Sequence, residues 1–214
     1  MVTSVSAHAR PREVFIHPHA LVESNDIGPG TRIWAFAQVA AGAHIGSECN
    51  ICGQAYIETG ATLGDNVTVK NGVAVWEGVT IEDNVFLGPY CVFTNDPNPR
   101  AYIKKRSINL LETRVHANAT VGANATILCG LVIGRYAFIG AGAVVTRCVP
   151  DFALILGNPG RQVGWMCICA RRLDLPASAK AGSSCICRFC RSTFELTASG
   201  MVWQQENKAE REAN

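Results

Sequence analysis

Ten cysteines stand in two groups of five, and the second group has a spacing that implies chemistry. Cys187 and Cys190 are separated as C-x-x-C, the knuckle spacing of tetrahedral zinc, and Cys167 and Cys169 form a tighter C-x-C pair upstream. Four thiolates, one pair from each end of a short hairpin, predict a zinc-ribbon-like tail over 165–197, with Cys185 as a spare or competing ligand. No His or carboxylate completes an open site there, so the metal would be structural and would supply the core that about thirty residues cannot make alone. A ribbon that has lost its metal, or disulfides in an oxidising compartment, are the other readings of this spacing. A second concentration of polar groups lies in Thr94–Arg106, TNDPNPRAYIKKR, where two prolines interrupt any strand pattern. Histidine is scarce: His8, His17, His19, His44 and His116.

The elements that must position these groups are set by one period. From Phe15 to Phe93 an aliphatic residue or Phe falls at every sixth position, and the beat resumes from Val115 to Val145. This fits neither a helix nor one long two-faced strand, and it marks short strands separated by turns in a solenoid. Two residues before each beat stands a small or β-branched residue, such as Ala37, Ala55 or Val73, with Leu131 the bulky exception. Just after the beat Gly28, Gly46, Gly64, Gly88, Gly122, Gly134 and Gly140 recur, and they are expected, with Asn, to supply the positive dihedrals of tight corners. Three hexads make one triangular coil, coils pair in parallel, and the beats form buried ladders. An all-β parallel β-helix over 14–160 is therefore expected, with the irregular segment 94–114 extruded from a corner. A loop leaving a rigid solenoid is the natural place for function.

Composition excludes other classes. Net charge is +2, with 19 basic and 17 acidic residues and no basic stretch interleaved with aromatics, so nucleic acid is not an expected partner. Apolar residues never run to membrane-span length, and the first residues lack the apolar core of a signal peptide; a cytoplasmic protein off the membrane is expected. Asn66, Asn118 and Asn124 begin Asn-X-Thr sequences, which read better as turns than as glycosylation sites.

Several segments together carry a resemblance: Val69-Lys70-Asn71-Gly72, Val75-Trp76-Glu77-Gly78-Val79, Phe93-Thr94-Asn95, Asn98-Pro99-Arg100-Ala101, Ile139-Gly140-Ala141-Gly142-Ala143, and Gly157-Asn158-Pro159. With the hexads they resemble the left-handed β-helix sugar N-acetyltransferases, especially those acting on UDP-2-acetamido-3-amino-2,3-dideoxy-glucuronate. Gly-Trp-Met-Cys-x-Cys with a later Cys-x-x-Cys is similar to the tail of some of these enzymes. The resemblance implies a homotrimer that binds acetyl-CoA between neighbouring solenoids and a nucleotide-linked amino sugar near the loop. It implies that Asn71 positions the attacking amine, with Glu77 and Asn95 nearby. His116 is a reserve base by its residue type, not by the resemblance. Arg100, Lys104 and Arg106 would meet a sugar carboxylate or diphosphate, since fixed cations match these anions. Gly122, Gly140, Gly142 and Ala143 would admit the pantetheine arm, and Arg147 and Arg161 would meet CoA phosphates. A dTDP-3-amino-3,6-dideoxyhexose as acceptor, or a noncatalytic β-helix module, are the alternatives. Three positions depart from the family pattern, namely Arg147, Gly160 and Ala170, the last of which puts a turn of the ribbon at risk.

Overall fold

The computed structural model describes residues 12–103 and 110–204. Strands of two or three residues alternate with turns and wind into a left-handed parallel β-helix with three flat faces. The first face stacks Phe15–Ile16, Arg32–Ile33, Asn50–Ile51, Thr68–Val69, Phe86–Leu87, Thr120–Val121, Phe138–Ile139 and Ala153–Leu156. The second runs from Leu21–Val22 to Val144–Val145, and the third from His44–Ile45 to Val132–Ile133. Partners such as Ile51 and Val69 stand three hexads apart, so each hexad is one side of a triangular coil. From Ile33 to Phe93 every sixth residue is at most 1% exposed, and the small residues two positions earlier are buried beside them. Thr31 is tolerated in this ladder because its hydroxyl donates to the Gly46 carbonyl and accepts the Cys49 N–H.

The beat departs from expectation at both ends. Ile16, not Phe15, stands opposite Ile33, and Val22, not Leu21, opposite Val39. Phe15 and Leu21 therefore face outward, 44% and 59% exposed. The interval from Val22 to Ile27 falls one short of the full hexad, so this first coil is shorter than those above it, and a slip of a single position turns a side chain to the other face of a strand. At the far end the ladder continues past Val145, the last beat read from the sequence. Val149 bridges to Ile133 and Ile155 pairs with Ile139, closing a last coil that is again shorter than three hexads.

The recurrent glycines after each beat have a different reason from the one expected. The residues with positive φ lie two positions later, among them Glu48, Asn66, Tyr90 and Asn124. A Cβ at Gly122 would lie 2.5 Å from the Ala141 nitrogen, and one at Gly88 2.6 Å from the Ala123 nitrogen. These glycines permit close approach of consecutive coils, and Asn or Gly supplies the handedness. Asn66, Asn118 and Asn124, the three Asn-X-Thr asparagines, adopt φ of 54°, 64° and 55° as turn residues.

After Phe93 the chain leaves the prism and rejoins the third face at the strand Thr113–Val115, so the loop ends two residues earlier than the 94–114 boundary read from sequence. Beyond the last coil, Arg161–Trp165 turns back antiparallel on Ala153–Leu156 and leads into a small antiparallel sheet of Ser184–Ile186, Thr193–Thr197 and Gly200–Gln204. The third of these strands lies past the expected end of the tail at 197. Among the described residues no helix is long and apolar enough to cross a membrane.

Candidate functional site

The turns between faces line up into three edges, and the candidate residues are distributed over them. Asn71 is exposed at the edge between the first and second faces, where its amide covers Gly53 of the preceding coil. It lines a groove of about 720 Å³ together with His17, Arg32, Trp34, Phe36 and Asn50. Trp34 and Phe36, 41% and 64% exposed, bring aromatic surface into this groove. Their indole and phenyl rings were not singled out by the sequence reading, because Trp34 and Phe36 follow the beat at Ile33 as ordinary turn residues. The only signal was their size, since Cys52, Lys70 and Gly88 take the place of Trp34 in later coils, and Gln54, Gly72 and Tyr90 that of Phe36.

Glu77 and Asn95 belong to the next edge, between the second and third faces, so one chain does not bring them to Asn71. The intervening side is roughly 15–20 Å long by strand geometry. The Glu77 side chain lies over Gly60, and its N–H donates to the Glu58 carboxylate at 2.8 Å. The loop leaves here from a braced base. Trp76 Nε1 donates to the Phe93 carbonyl at 2.8 Å, Thr94 Oγ1 accepts the Cys129 N–H, and the Leu111 N–H closes on the Asn95 carbonyl at 3.0 Å. Arg100 is exposed on the loop, while Lys104 and Arg106 lie outside the described residues.

The residues expected to meet CoA separate in a similar way. Arg147 and Arg161 line one cleft of about 270 Å³ at the last coil. Gly142 is exposed with open space at its Cα, and Gly122 is half-buried against Ala141. Gly140 is buried beneath Leu156, and the Ala143 methyl is in the core at 0% exposure, so neither offers a side-chain surface within this chain.

The third edge carries His116. Its Nδ1 lies 2.8 Å from Glu82 Oε1, and Glu82 Oε2 accepts the Ala117 N–H at 3.0 Å. Partial burial would raise the Glu82 carboxyl, but hydrogen bonds from His116 and the Ala117 N–H, helped by Arg114, hold it below its ordinary value. This carboxylate–imidazole pair fixes the ring. It is the one histidine arrangement among the described residues with the half-buried geometry of an oriented base.

In the tail the four Sγ atoms of Cys167, Cys169, Cys187 and Cys190 lie within 4.8 Å of one another. Cys167 and Cys190 are 3.3 Å apart, and Cys169 and Cys187 are 3.7 Å apart. A tetrahedron with Zn–S bonds of about 2.3 Å has edges of about 3.8 Å, so the thiols present fit such an ion. Cys185, in the strand Ser184–Ile186, stands outside this group. Burial pushes the Cys167 and Cys169 thiols up. Burial also opposes ionisation of Cys187 and Cys190. The N–H groups of Cys190 and Phe189 nevertheless bring Cys187 down, and Ser192, through side chain and backbone, brings Cys190 down to about 6. Ala170 takes the left-handed turn at φ 58°, with its N–H on the Cys167 carbonyl, so the turn forms with Ala in place of the usual Gly. Arg191 does the same after Cys190 at φ 64°.

Residues 60–95 and 112–147 match the bacterial transferase hexapeptide (six repeats), and 42–76 match the hexapeptide repeat of succinyl-transferase. The chain is 51% identical over 159 residues to the dTDP-3-amino-3,6-dideoxy-alpha-D-galactopyranose 3-N-acetyltransferase of Aneurinibacillus thermoaerophilus, covering 74% of this chain and 82% of that protein. It is similar in structure to a mutant of AntD, an N-acyltransferase from Bacillus cereus solved with dTDP-4-amino-4,6-dideoxyglucose and coenzyme A. The TM-score is 0.54 at 15% identity, over 68% of this chain and 83% of that one. A mutant GDP-perosamine N-acetyl transferase from Caulobacter crescentus, solved with CoA and GDP-perosamine, aligns with TM-score 0.50 at 21% identity, over 72% of this chain and only 58% of that one. At these identities the two structures speak for the fold alone.

Proposed function

The chain belongs to the bacterial hexapeptide-repeat acetyltransferases, and on that premise we propose that it moves the acetyl group of acetyl-CoA onto the 3-amino group of a dTDP-linked 3-amino-3,6-dideoxyhexose. The observation that carries this reading is the 51% identity, over 82% of its length, to a relative named for that reaction. It favours the deoxyhexose over the UDP-linked glucuronate that the motifs first suggest. The amine nitrogen attacks the thioester carbonyl, an N–C bond forms, the C–S bond breaks, and the proton leaving nitrogen ends on the CoA thiolate. A sugar amine is less basic than lysine, so a neutral fraction exists near neutral pH and orientation matters more than a strong base.

In this reading Asn71 orients the amine, and Glu77 and Asn95 act from the neighbouring edge. Within one chain these groups stand on two edges of the prism, so a homotrimer with flat faces around a threefold axis would bring one copy's Asn71 edge to another's loop edge. Arg147 and Arg161 would hold CoA phosphates in the cleft they share, with Gly142 and Gly122 along the pantetheine path. Arg100, and Lys104 and Arg106 of the same loop, would answer acceptor anions. Zinc held by Cys167, Cys169, Cys187 and Cys190 would be structural, a closed tetrahedral site with no open position.

The reading is tested by incubating the protein with acetyl-CoA and a panel of UDP- and dTDP-linked 3-amino sugars and following thiol release. Turnover of a dTDP-3-amino-3,6-dideoxyhexose in preference to the UDP uronate is the expected result, and the reverse preference would restore the uronate. Failure to bind acetyl-CoA at all would leave a noncatalytic module. The oriented His116 favours one further reading, in which this ring takes the amine proton. A bell-shaped rate profile abolished by His116→Asn would establish it.

A further inference from the structure

The aromatic groove at the amino-terminal coils is larger than the sugar-orienting role of Asn71 requires, and its lining is chemically mixed in a particular way. Trp34 is held by a hydrogen bond from Nε1 to Asn50 Oδ1 at 2.7 Å and tilts against Phe15 with ring centroids 5.4 Å apart. Phe36 sits at φ 64°, an unfavourable backbone for a bulky residue, and its ring is stacked on His19 at 5.9 Å and 9°. Positive φ is the rule at this corner, as Gln54 and Tyr90 show, but two exposed rings set side by side beside a cation are unfavourable for stability and mark functional surface. Arg32, on the first face beside these rings, makes no ion pair among the described residues. Asn71 closes the other end of the groove, two coils further along the axis, roughly 10 Å at the usual strand spacing.

We propose that this groove is the nucleotide end of the acceptor site, with the base against Trp34 and Phe36, the diphosphate toward Arg32, and the sugar amine delivered to Asn71. The inference rests on the nucleotide-sugar reading above and deepens it by naming the groups that recognise the nucleoside diphosphate. Every base has a π-face that stacks on an aromatic ring, and a guanidinium matches a phosphate in two-point geometry. Coenzyme A also carries a base and a diphosphate. Its counterpart in this chain is the Arg147 and Arg161 cleft on the last coil, and Asn71 ties the aromatic groove to the acceptor.

The experiment titrates dTDP, UDP, thymidine and CoA separately into full-length protein by calorimetry. Wild type is expected to bind dTDP or UDP, and Trp34→Ala to weaken that binding roughly tenfold or more while CoA affinity changes less than twofold. Trp34→Phe, which keeps a stacking ring, should retain binding within about threefold. Arg32→Gln should narrow the ratio of dTDP to thymidine affinity. Melting temperature and oligomer mass are measured for each variant. Unchanged dTDP affinity in Trp34→Ala and Arg32→Gln overturns this site and leaves the acetyltransferase reading intact, whereas a wild type that binds CoA but neither nucleotide overturns both. Loss of CoA affinity would assign the groove to the donor, and loss of oligomer mass would assign the rings to an interface. Either result overturns the proposal.

Discussion

The solenoid and the tail solve the same problem, how to hold short strands together, by opposite means. In the solenoid each two-residue strand is too short to be stable, and its apolar rung is buried by equivalent apolar rungs above and below, as Ile57 is between Val39 and Val75. The tail has no repeat to borrow from. Its sheet packs Phe194, Leu196 and Met201 against Phe152 and Trp165, with Phe194 edge-on to Phe152 at 5.5 Å and four thiols drawn together beside them. One region draws stability from many equivalent contacts, the other from a few unequal ones. The tail is therefore the part whose stability a single ion can control.

The sharpest test of this contrast places a charge on a central rung. Ile57→Asp buries a carboxylate without a partner, at a cost of at least about 5 kcal/mol, and should abolish cooperative unfolding in a thermal melt. A melt like that of wild type would place Ile57 outside the ladder. Next, Cys187→Ser or exhaustive chelation should drop metal content from about one zinc per chain to none. It should expose Trp165 and Trp203 of the tail to quencher and leave the solenoid's circular dichroism in place. Collapse of both regions together would make the ion a keystone for the whole chain. On activity, Asn71→Ala should lower kcat/KM by roughly 10- to 100-fold, the scale of one lost transition-state hydrogen bond, with an unchanged melting temperature. Full retention of both constants would remove Asn71 from the site.

Two smaller effects probe the edges. The folded Glu82 carboxyl ionises below its ordinary value of 4.5, so its stabilising contribution is fully present above that value and is lost as pH falls through the lower folded value. Glu82→Gln should therefore cost about 1 kcal/mol at pH 7, and the difference from wild type should vanish in strong acid; a gap that persists there would assign the loss to packing. Ala170→Gly should stabilise the tail by about 1 kcal/mol, since glycine takes φ 58° without the strain a Cβ brings there, and a lower tail melting temperature would contradict that account.

Much of the fold was legible because a solenoid repeats its rule, and the rungs from Ile33 to Phe93 could be read from spacing alone. What escaped were local exceptions to that rule. The short first coil turns Phe15 outward, and the short last coil carries the ladder on to Ile155. The glycines after each beat looked like handedness and proved to be clearance, since a sequence shows where a side chain is missing but not which neighbour would strike it. Asn71 was legible through its motif, and the cysteine quartet through its spacing. The groove with Trp34, Phe36 and Arg32 was not, because its walls come from consecutive coils.

By itself the sequence determined the period, the inward residues of the middle coils, the exit of the loop and the four thiols, since each depends on contacts repeated at a fixed separation along the chain. Only the tertiary structure decided which edge each candidate occupies, placing Asn71 on one and Glu77 with Asn95 on the next, and setting Arg147 beside Arg161. The physical reason is that stacking turns positions three hexads apart into neighbours, while the corners send positions a single hexad apart to different sides of the prism.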